Sequence, residues 1–364
     1  MKINILKRLL TAYIIVGKTF GKWISPIFIG FIVLLLRIIV FIFMLFDRIL
    51  IPNLWFKKIK APIIIVGNPR SGTTFLHRFL VKNNFGTGTQ LWQMIYSSII
   101  LQKLLKPMLP LLEYLSPAKY HSTDAHKTSL TSVETDDASM LFRFFDGFFL
   151  YGFILSWSEK ELFDWVDPKV RNNTHRDFKW FNVMWKRVLI ASGGDRTIAK
   201  LFSLSSTLPY FIKEFPDSKI LYMVRDPLSV IPSGLSLVTG VLDKMFGFWS
   251  LSENKKSLFI SRLYRALVEL LLRFENDWSS GNIDKSKVLI VHFDKMMNHF
   301  DELMGDIIKF TDQKSSETLL NEIVITSEKQ RSFKSNHKYD LKKFGLSEEK
   351  IKEDCKKYYE TFIY

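Results

Sequence analysis

The most apolar region lies close to the N-terminus. Residues 24 to 46, ISPIFIGFIVLLLRIIVFIFMLF, carry a single charge, Arg37, and as a helix are long enough to cross about 30 Å of hydrocarbon. An arginine near the centre of a span costs about 3 kcal/mol on insertion scales, so a helix lying in the membrane interface is the second interpretation beside a transmembrane helix. A buried core helix is a third. The pattern favours an N-terminal membrane-associated helical segment, residues 1 to 60.

Three short apolar runs in the remaining chain, 61 to 364, have the length and continuity of strands buried on both faces. They are 63 to 66 (IIIV), 219 to 224 (KILYMV) and 287 to 293 (KVLIVHF). Helical patterns separate them, at 74 to 82, 207 to 215, 258 to 278 and 300 to 310. Strands that alternate with helices predict one large α/β domain with a parallel sheet flanked by helices.

The chain between residues 100 and 190 does not follow this alternation. It is rich in aromatic and aliphatic residues, as in MLFRFFDGFFLYGFIL at 140 to 155. Packing in a core explains such a composition. An apolar cavity or a lid that faces a membrane also explains it, and would suit a greasy substrate.

The net charge restricts the classes of partner, and the cysteine content indicates the redox state of the compartment. The formal net charge of +15 predicts an anionic partner: nucleic acid, an acidic membrane surface or a phosphorylated small molecule. The basic residues are spread along the chain without a nucleic-acid-binding motif, so we expect no nucleic-acid partner. The single cysteine, Cys355, excludes an intramolecular disulfide and a cysteine-rich zinc site, and favours a reducing compartment.

Residues 67 to 74, GNPRSGTT, follow a predicted strand and precede a predicted helix. Gly67 and Gly72 have the glycine spacing of a loop whose backbone N–H groups wrap a phosphate. The lysine that a nucleotide triphosphatase places on its terminal phosphates is Thr73 here, and KILYMV runs into Arg225 instead of a magnesium-binding aspartate. The cation lies inside the loop, at Arg70, whose planar guanidinium can bind oxygens in pairs. The loop predicts a phosphate site without a metal.

The octapeptide and its flanks resemble the signature of the PAPS-dependent sulfotransferase superfamily, where PAPS is 3′-phosphoadenosine-5′-phosphosulfate. The resemblance implies a P-loop-like α/β fold and PAPS as co-substrate. It implies that the 5′-phosphosulfate is bound by five consecutive residues of the loop, Arg70, Ser71, Gly72, Thr73 and Thr74. Residues 224 to 233, VRDPLSVIPS, resemble the family's 3′-phosphate site, which implies that Arg225 and Ser233 bind that phosphate.

Two further segments extend the resemblance. AKLFSLSSTLPYFIKEFPD, 199 to 217, resembles the family stretch in which a lysine follows a strand, although Phe202 and Ser203 replace the proline usual there. Lys200 takes the place of that lysine, which implies a catalytic role beside Arg70 in stabilising charge on the sulfate. HKYDLKKFGLSEEKI, 337 to 351, resembles the closing segment of a membrane-associated and bacterial branch. Lys334 and Arg331, just before His337, could reach the 3′-phosphate.

Transfer to an alcohol also needs a general base. The acids of TSVETDDASM, 131 to 140, resemble an acidic element of the same branch. Carboxylates that lie close together raise one another's pKa, which suits a base that works near neutral pH. These catalytic candidates are Glu134, Asp136 and Asp137. The other interpretation is the start of a helix, where acids are favoured by the dipole. His121 and His126 are rival bases, His337 could belong to a closing flap with Arg331 nearby, and His77 is predicted to be structural.

The sequence does not fix the acceptor. The apolar N-terminus and the aromatic middle region favour a lipidic alcohol, such as a sterol, a hydroxylated lipid or a glycolipid, with the catalytic domain on the cytoplasmic face of a bacterial inner membrane. A soluble glycan or a protein tyrosine is the alternative acceptor. A P-loop kinase is the alternative enzyme, although the absence of the loop lysine counts against it.

Overall fold

A computed structural model of the chain describes residues 3–116, 128–332 and 340–364. The chain forms two compact units. The first comprises Met1–Ile59, Thr87–Asp195 and Leu237–Leu263, and the second comprises Lys60–Gly86, Arg196–Ser236 and Tyr264–Tyr364. The predicted division into a membrane segment and one catalytic domain at residue 60 stays a prediction.

The elements are as follows. Strands are β1 (Ile63–Val66), β2 (Thr87–Gly88), β3 (Thr197–Lys200), β4 (Lys219–Val224) and β5 (Val288–His292). Helices are α1 (Ile5–Phe20), α2 (Ser25–Leu50), α3 (Asn53–Phe56), α4 (Thr73–Lys82), α5 (Leu91–Ile95), α6 (Ile99–Leu105), α7 (Leu109–Leu115), α8 (Ala138–Phe144), α9 (Phe148–Phe153), α10 (Thr174–Ser192), α11 (Leu208–Glu214), α12 (Pro227–Phe246), α13 (Glu253–Ser279), α14 (Phe293–Asn298), α15 (Phe300–Thr311), α16 (Glu317–Ser332), α17 (Glu348–Asp354) and α18 (Lys356–Phe362). Short 3-10 turns occur at Lys106–Met108, Leu155–Trp157, Phe163–Trp165, Ser203–Ser206, Phe248–Ser250, Lys285–Lys287 and Lys342–Phe344.

The four long strands of the parallel sheet lie in the second unit, in the order β3-β1-β4-β5. β1 is central and completely buried, which explains why its sequence is apolar without alternation. The register pairs Ile65 with Lys200 and Val66 with Tyr222, so β1, β3 and β4 end at the same edge. In a parallel sheet this carboxyl edge is where ligands bind. The predicted α/β class and the three predicted strands are confirmed, and β2 and β3 are additional.

One core cluster supports this sheet. Ile63 and Ile65 of β1 pack with Leu76 and Leu80 of α4 and with the apolar face of α15, which includes Ile307. The helical period of α4 places Leu76 and Leu80 on one face, four residues apart. The start of α4 is therefore fixed against the sheet directly after the phosphate loop.

α2 belongs to the first unit, and the burial of its side chains differs between its two halves. Residues 24 to 35 are exposed on almost every side, whereas Val40, Met44 and Asp47 form a buried stripe in the second half. Asp47 accepts hydrogen bonds from Ser98 Oγ and the Ile99 N–H, each at 3.0 Å, and so caps α6. The C-terminal half is thus held to the unit, while the N-terminal half exposes apolar side chains.

Within the described residues, α2 is the one helix long and apolar enough to cross a membrane, or one of two if α8 and the segment Phe148–Trp157, bent by 90°, count as a single span. Only 11% of the most apolar window of α2 is buried, which disfavours the interpretation as a core helix.

Candidate active site

The loop between β1 and α4 bends sharply enough that two of its positions require glycine. Gly67 has φ +145°, and a Cβ there would lie 2.9 Å from Met223 Cβ and 3.0 Å from Met223 O. Gly72 has φ +90° and is packed against Met296 and Phe293. Both conformations are open to glycine and strained for other residues. Because Gly72 caps α4 without a side chain, the first N–H groups of the helix receive no side-chain cap and can bind an anion.

Hydrogen bonds inside the loop fix its shape. The Asn68 carbonyl accepts bonds from the Ser71 N–H at 3.2 Å and from Ser71 Oγ at 2.7 Å. Asn68 Nδ2 in turn donates to the Leu267 carbonyl of α13 at 2.9 Å, and both side chains are buried. Asn68 and Ser71 therefore hold the loop in place before any ligand arrives. The spacing of GNPRSGTT predicted the loop, but it gave no sign of the bond from Asn68 to α13.

Arg70 is the strained residue of the loop. Its φ is +77°, a conformation that costs a residue other than glycine about 1 to 3 kcal/mol. Arg70 Nε donates to Ser233 Oγ at 2.9 Å, and no carboxylate among the described residues pairs with this guanidinium. Strain of this kind is retained at functional sites. The positive charge of Arg70 is therefore available for an anionic ligand.

Arg225, at the end of β4, supports the same loop. Its Nη1 donates to the Arg70 carbonyl at 2.7 Å, and its guanidinium lies over the Phe293 ring, 3.8 Å from the centroid. Phe293 begins α14 directly after β5. The two segments GNPRSGTT and VRDPLSVIPS, 155 residues apart at Arg70 and Arg225, therefore meet through Arg70, Arg225 and Ser233.

Lys200 adds another cation on the far side of β1. It is the last residue of β3, and its Nζ donates to Thr74 Oγ1 at 3.0 Å. Lys200 and Thr73 are both buried, at 6% exposure. The structure thus brings together, around one loop in the second unit, the predicted residues Arg70, Ser71, Gly72, Thr73, Thr74, Lys200, Arg225 and Ser233.

Asp226 and Tyr359 form a contact that the sequence did not reveal. Tyr359 Oη donates to Asp226 Oδ1 at 2.5 Å, and the same oxygen accepts the Leu228 N–H at 2.8 Å. Burial and the bond to Asp226 raise the pKa of Tyr359, so its hydroxyl stays protonated as a donor. Asp226 is therefore satisfied at the start of α12, next to Arg225. The aspartate of the RDP segment was visible, but its tyrosine partner lies 133 residues away.

The acidic candidates lie in the first unit, directly before α8. All three are buried: Glu134 accepts from Ser132 Oγ at 2.9 Å, Asp137 from Thr135 Oγ1 at 3.0 Å, and Asp136 from Trp185 Nε1 at 2.8 Å. Asp137 stands at the helix start without a side-chain cap bond. Their position agrees with the helix-start interpretation, and their role as a base stays a prediction.

The remaining candidates divide into two sets. His77 is fully buried in α4 and its Nε2 contacts the Ile198 carbonyl at 3.1 Å, which agrees with the predicted structural role. Arg331 lies in the last turn of α16 and donates to Ser327 Oγ at 3.1 Å. Four predicted residues lie outside the described residues: His121, His126, Lys334 and His337.

The arrangement is chemically suited to an anionic, phosphate-bearing ligand. It provides a glycine-shaped loop, a helix N-terminus and three cationic side chains, Arg70, Arg225 and Lys200. Across the part of the chain that the structure describes, no group of three or more His, Cys, Asp or Glu residues is placed to hold a metal ion.

Comparisons with known proteins agree with this site. A model of the sulfotransferase family matches residues 62–317. The fold is similar to a sulfotransferase from Mycobacterium tuberculosis H37Rv, with a TM-score of 0.71 and 17% identity over 96% of this chain and 90% of that chain. A sulfotransferase from Mycobacterium avium gives 0.66 and 14%, covering 88% and 81%. At such identities these two structures show the fold alone. Comparison with curated proteins gave no significant match.

Proposed function

Because the chain belongs to the sulfotransferase family, we propose that it moves the sulfuryl group of PAPS to a hydroxyl of a lipidic acceptor at a membrane. The observation that supports the donor most directly is Arg70, a strained arginine within a glycine-shaped loop and without a carboxylate partner among the described residues. A loop built this way binds phosphate through backbone N–H groups and a fixed guanidinium.

The proposal assigns two groups of residues to the two phosphate-bearing ends of PAPS. Arg70, Ser71, Gly72, Thr73 and Thr74 bind the 5′-phosphosulfate through the loop and the start of α4. Arg225 and Ser233 bind the 3′-phosphate, as a charged fork and a hydroxyl. The proposal assigns Lys334 to the same phosphate because it lies close to His337 in the chain, and Lys334 is outside the described residues.

The transfer itself is an in-line displacement. The acceptor oxygen forms a bond to sulfur, the bond from sulfur to the bridging phosphate oxygen breaks, and adenosine 3′,5′-bisphosphate leaves. Arg70 and Lys200 stabilise the negative charge that grows on the sulfate and on the leaving oxygen. The hydroxyl proton passes to a carboxylate, which we assign to the acidic element Glu134, Asp136 and Asp137. Intact turnover after replacing Asp136 and Asp137 by alanine would remove both aspartates from this assignment, and intact turnover after replacing Glu134 as well would remove the acidic element altogether.

The proposal of a lipidic acceptor is supported by the first unit. The exposed half of α2, residues 24 to 35, offers an apolar surface suited to a membrane, whether it spans or lies in the interface. The aromatic segment 140 to 155, which includes α9 and most of α8, is buried or half-buried and adds nothing to that exposed surface. PAPS is made in the cytosol, so the proposal places the catalytic residues at the cytoplasmic face of a bacterial inner membrane.

Labelled PAPS supplied to membranes that contain the protein tests donor and acceptor together. The proposal predicts label in the lipid extract, and none in membranes with the Arg70→Ala variant. Label confined to soluble glycan or to protein tyrosine would contradict the lipidic acceptor but would still agree with sulfotransferase activity. Phosphate transfer from ATP that requires magnesium would contradict both.

A further inference from the structure

Three arginines of the first unit come from three different helices: Arg37 from α2, Arg143 from α8 and Arg187 from α10. Arg37 Nε donates to the Phe142 carbonyl at 3.0 Å, and its Nη2 donates to the Leu141 carbonyl at 3.2 Å. These carbonyls directly precede Arg143 in the chain. The arginine in the middle of the apolar helix is therefore turned towards the last turn of α8.

Arg143 has no hydrogen bond or ion pair within the described parts of the chain. Its guanidinium stacks over the Trp180 ring, 4.9 Å from the centroid, and the side chain is half-buried. Cation–π contact orients a guanidinium but leaves its N–H donors unsatisfied. The positive charges of Arg37, Arg187 and Arg48 all act on Arg143. Like charges at close quarters repel each other, so this group favours an anion.

Arg187 is more deeply buried, at 4% exposure. Its Nε donates to Asp47 Oδ2 at 3.1 Å and its Nη1 to the Val183 carbonyl at 3.1 Å, but Nη2 finds no acceptor among residues 3–116, 128–332 and 340–364. Trp180 Nε1, at 5% exposure, also has no described acceptor. Seven residues separate the two on α10, which places them on one face of the helix. Buried donors without an acceptor cost free energy, and a ligand with acceptor oxygens would satisfy them.

Among the residues that the structure describes, one carboxylate pairs with this group. Asp47 pairs with Arg187, but its two oxygens also accept bonds from Ser98 Oγ and from the Ile99 and Ile100 N–H groups. A single shared carboxylate does not neutralise three arginines.

We propose that Arg37, Arg143 and Arg187 form a binding site for the anionic phosphate headgroup of a membrane phospholipid. The phosphate chemistry follows from the guanidinium N–H groups, which match phosphate oxygens in pairs. The lipid follows from the surroundings of Arg37, because Leu34, Ile38 and Phe41 on the same helix are all exposed apolar side chains. Acyl chains attached to the bound phosphate would cover them, whereas a free anion would leave them in water.

Native mass spectrometry of the full chain in detergent tests this site without relying on sulfotransferase activity. We expect one retained molecule of phosphatidylglycerol and markedly less phosphatidylcholine, whose headgroup carries no net charge. Arg143→Gln should weaken phosphatidylglycerol binding about tenfold, since it removes a charged donor. Lys179→Gln, an exposed position of α10 with the same change in charge, is the matched control and should bind as the wild type does.

A second variant guards against loss of fold. Trp180→Phe keeps an aromatic ring beneath Arg143 but removes the buried N–H, so we expect weaker lipid binding with an unchanged thermal unfolding midpoint. Equal binding by the wild type and Arg143→Gln would overturn the site. Equal binding of phosphatidylcholine, or retention of inorganic phosphate as tight as that of the lipid, would overturn the lipid as its occupant.

Discussion

Two groups of arginines, one in each unit, have different partners. In the first, Arg171 contacts both oxygens of Asp146, at 2.9 Å and 2.7 Å, and Arg176 reaches Asp146 Oδ2 at 2.8 Å. In the second, Arg70 donates to the neutral hydroxyl of Ser233 and pairs with no described carboxylate. Arg171 and Asp146 are buried, whereas Arg70 is half-buried. A guanidinium already matched to a carboxylate holds the fold, and one held by a neutral partner keeps its charge for a ligand.

This contrast also separates two consequences of mutation. Removing an arginine of the loop should abolish ligand binding with little loss of stability, whereas removing the carboxylate of the other group should destabilise the protein. The three predictions below test that separation from the largest effect to the smallest.

Arg70→Ala gives the largest expected effect. In our proposal it removes the loop cation that stabilises negative charge on the sulfate and on the leaving oxygen, so the rate of sulfuryl transfer should fall by about 10² to 10³-fold. The thermal unfolding midpoint should barely change, because the only described side-chain partner lost is Ser233 Oγ. Initial rates with labelled PAPS, beside calorimetric unfolding of the same samples, measure both.

Two further variants sharpen the interpretation of Arg70. Lys213→Ala removes an exposed positive charge from α11 in the same unit and should leave the rate unchanged. Arg70→Gly should be inactive but about 1 kcal/mol more stable, because glycine accepts a positive φ without strain. An active Arg70→Ala enzyme, or an equal loss in Lys213→Ala, would contradict the role of this residue.

Asp146→Asn should lower the free energy of unfolding by about 3 kcal/mol, because it leaves Arg171 buried without its counter-charge. Burial alone would raise the pKa of Asp146, but hydrogen bonds and charges from Arg171 and Arg176 outweigh it and lower the pKa. A carboxyl whose pKa is lower in the folded state stabilises the protein above its unfolded value and loses that contribution as pH falls.

The advantage of the wild type over Asp146→Asn should therefore be complete at neutral pH and shrink below about pH 4. Urea unfolding at several pH values measures it. A stability difference that does not depend on pH would show that the lost packing, and not the charge, is responsible.

Ser233→Ala should have the smallest effect, a reduction of about fivefold in affinity for adenosine 3′,5′-bisphosphate. The change removes the hydroxyl that accepts a hydrogen bond from Arg70 Nε and, in our proposal, donates one to the 3′-phosphate. Ser236→Ala, three residues later on α12, provides a serine control. A loss as large as that of Arg70→Ala would mean that Ser233 mainly positions the arginine.

Much of the second unit could be predicted because its signals are local. IIIV, GNPRSGTT and KILYMV each lie within a few residues, and the strands, the loop and the start of α4 follow those bounds closely. The parallel edge then brings Arg70, Arg225 and Lys200 to one place. The family, inferred from these segments, is confirmed.

What the sequence could not reveal depends on distant partners. Tyr359 meets Asp226 across 133 residues, and Arg143, Trp180 and Arg37 share no spacing that a pattern could detect. β3 has the sequence TIAK, in which two apolar residues lie between a threonine and a lysine, so no continuous apolar run marks the strand. The domain division, the general base and the acceptor stay predictions, because each depends on residues or ligands that no local pattern specifies.

The central claim is that the loop at residues 67 to 74 binds the nucleotide without a metal ion. Isothermal titration of the full chain with adenosine 3′,5′-bisphosphate in the presence of EDTA tests it most directly, with Arg70→Ala and Lys213→Ala alongside. The account predicts saturable binding that EDTA does not weaken, that Lys213→Ala keeps and that Arg70→Ala loses. Binding that appears only with added magnesium, or that Arg70→Ala retains in full, would contradict it.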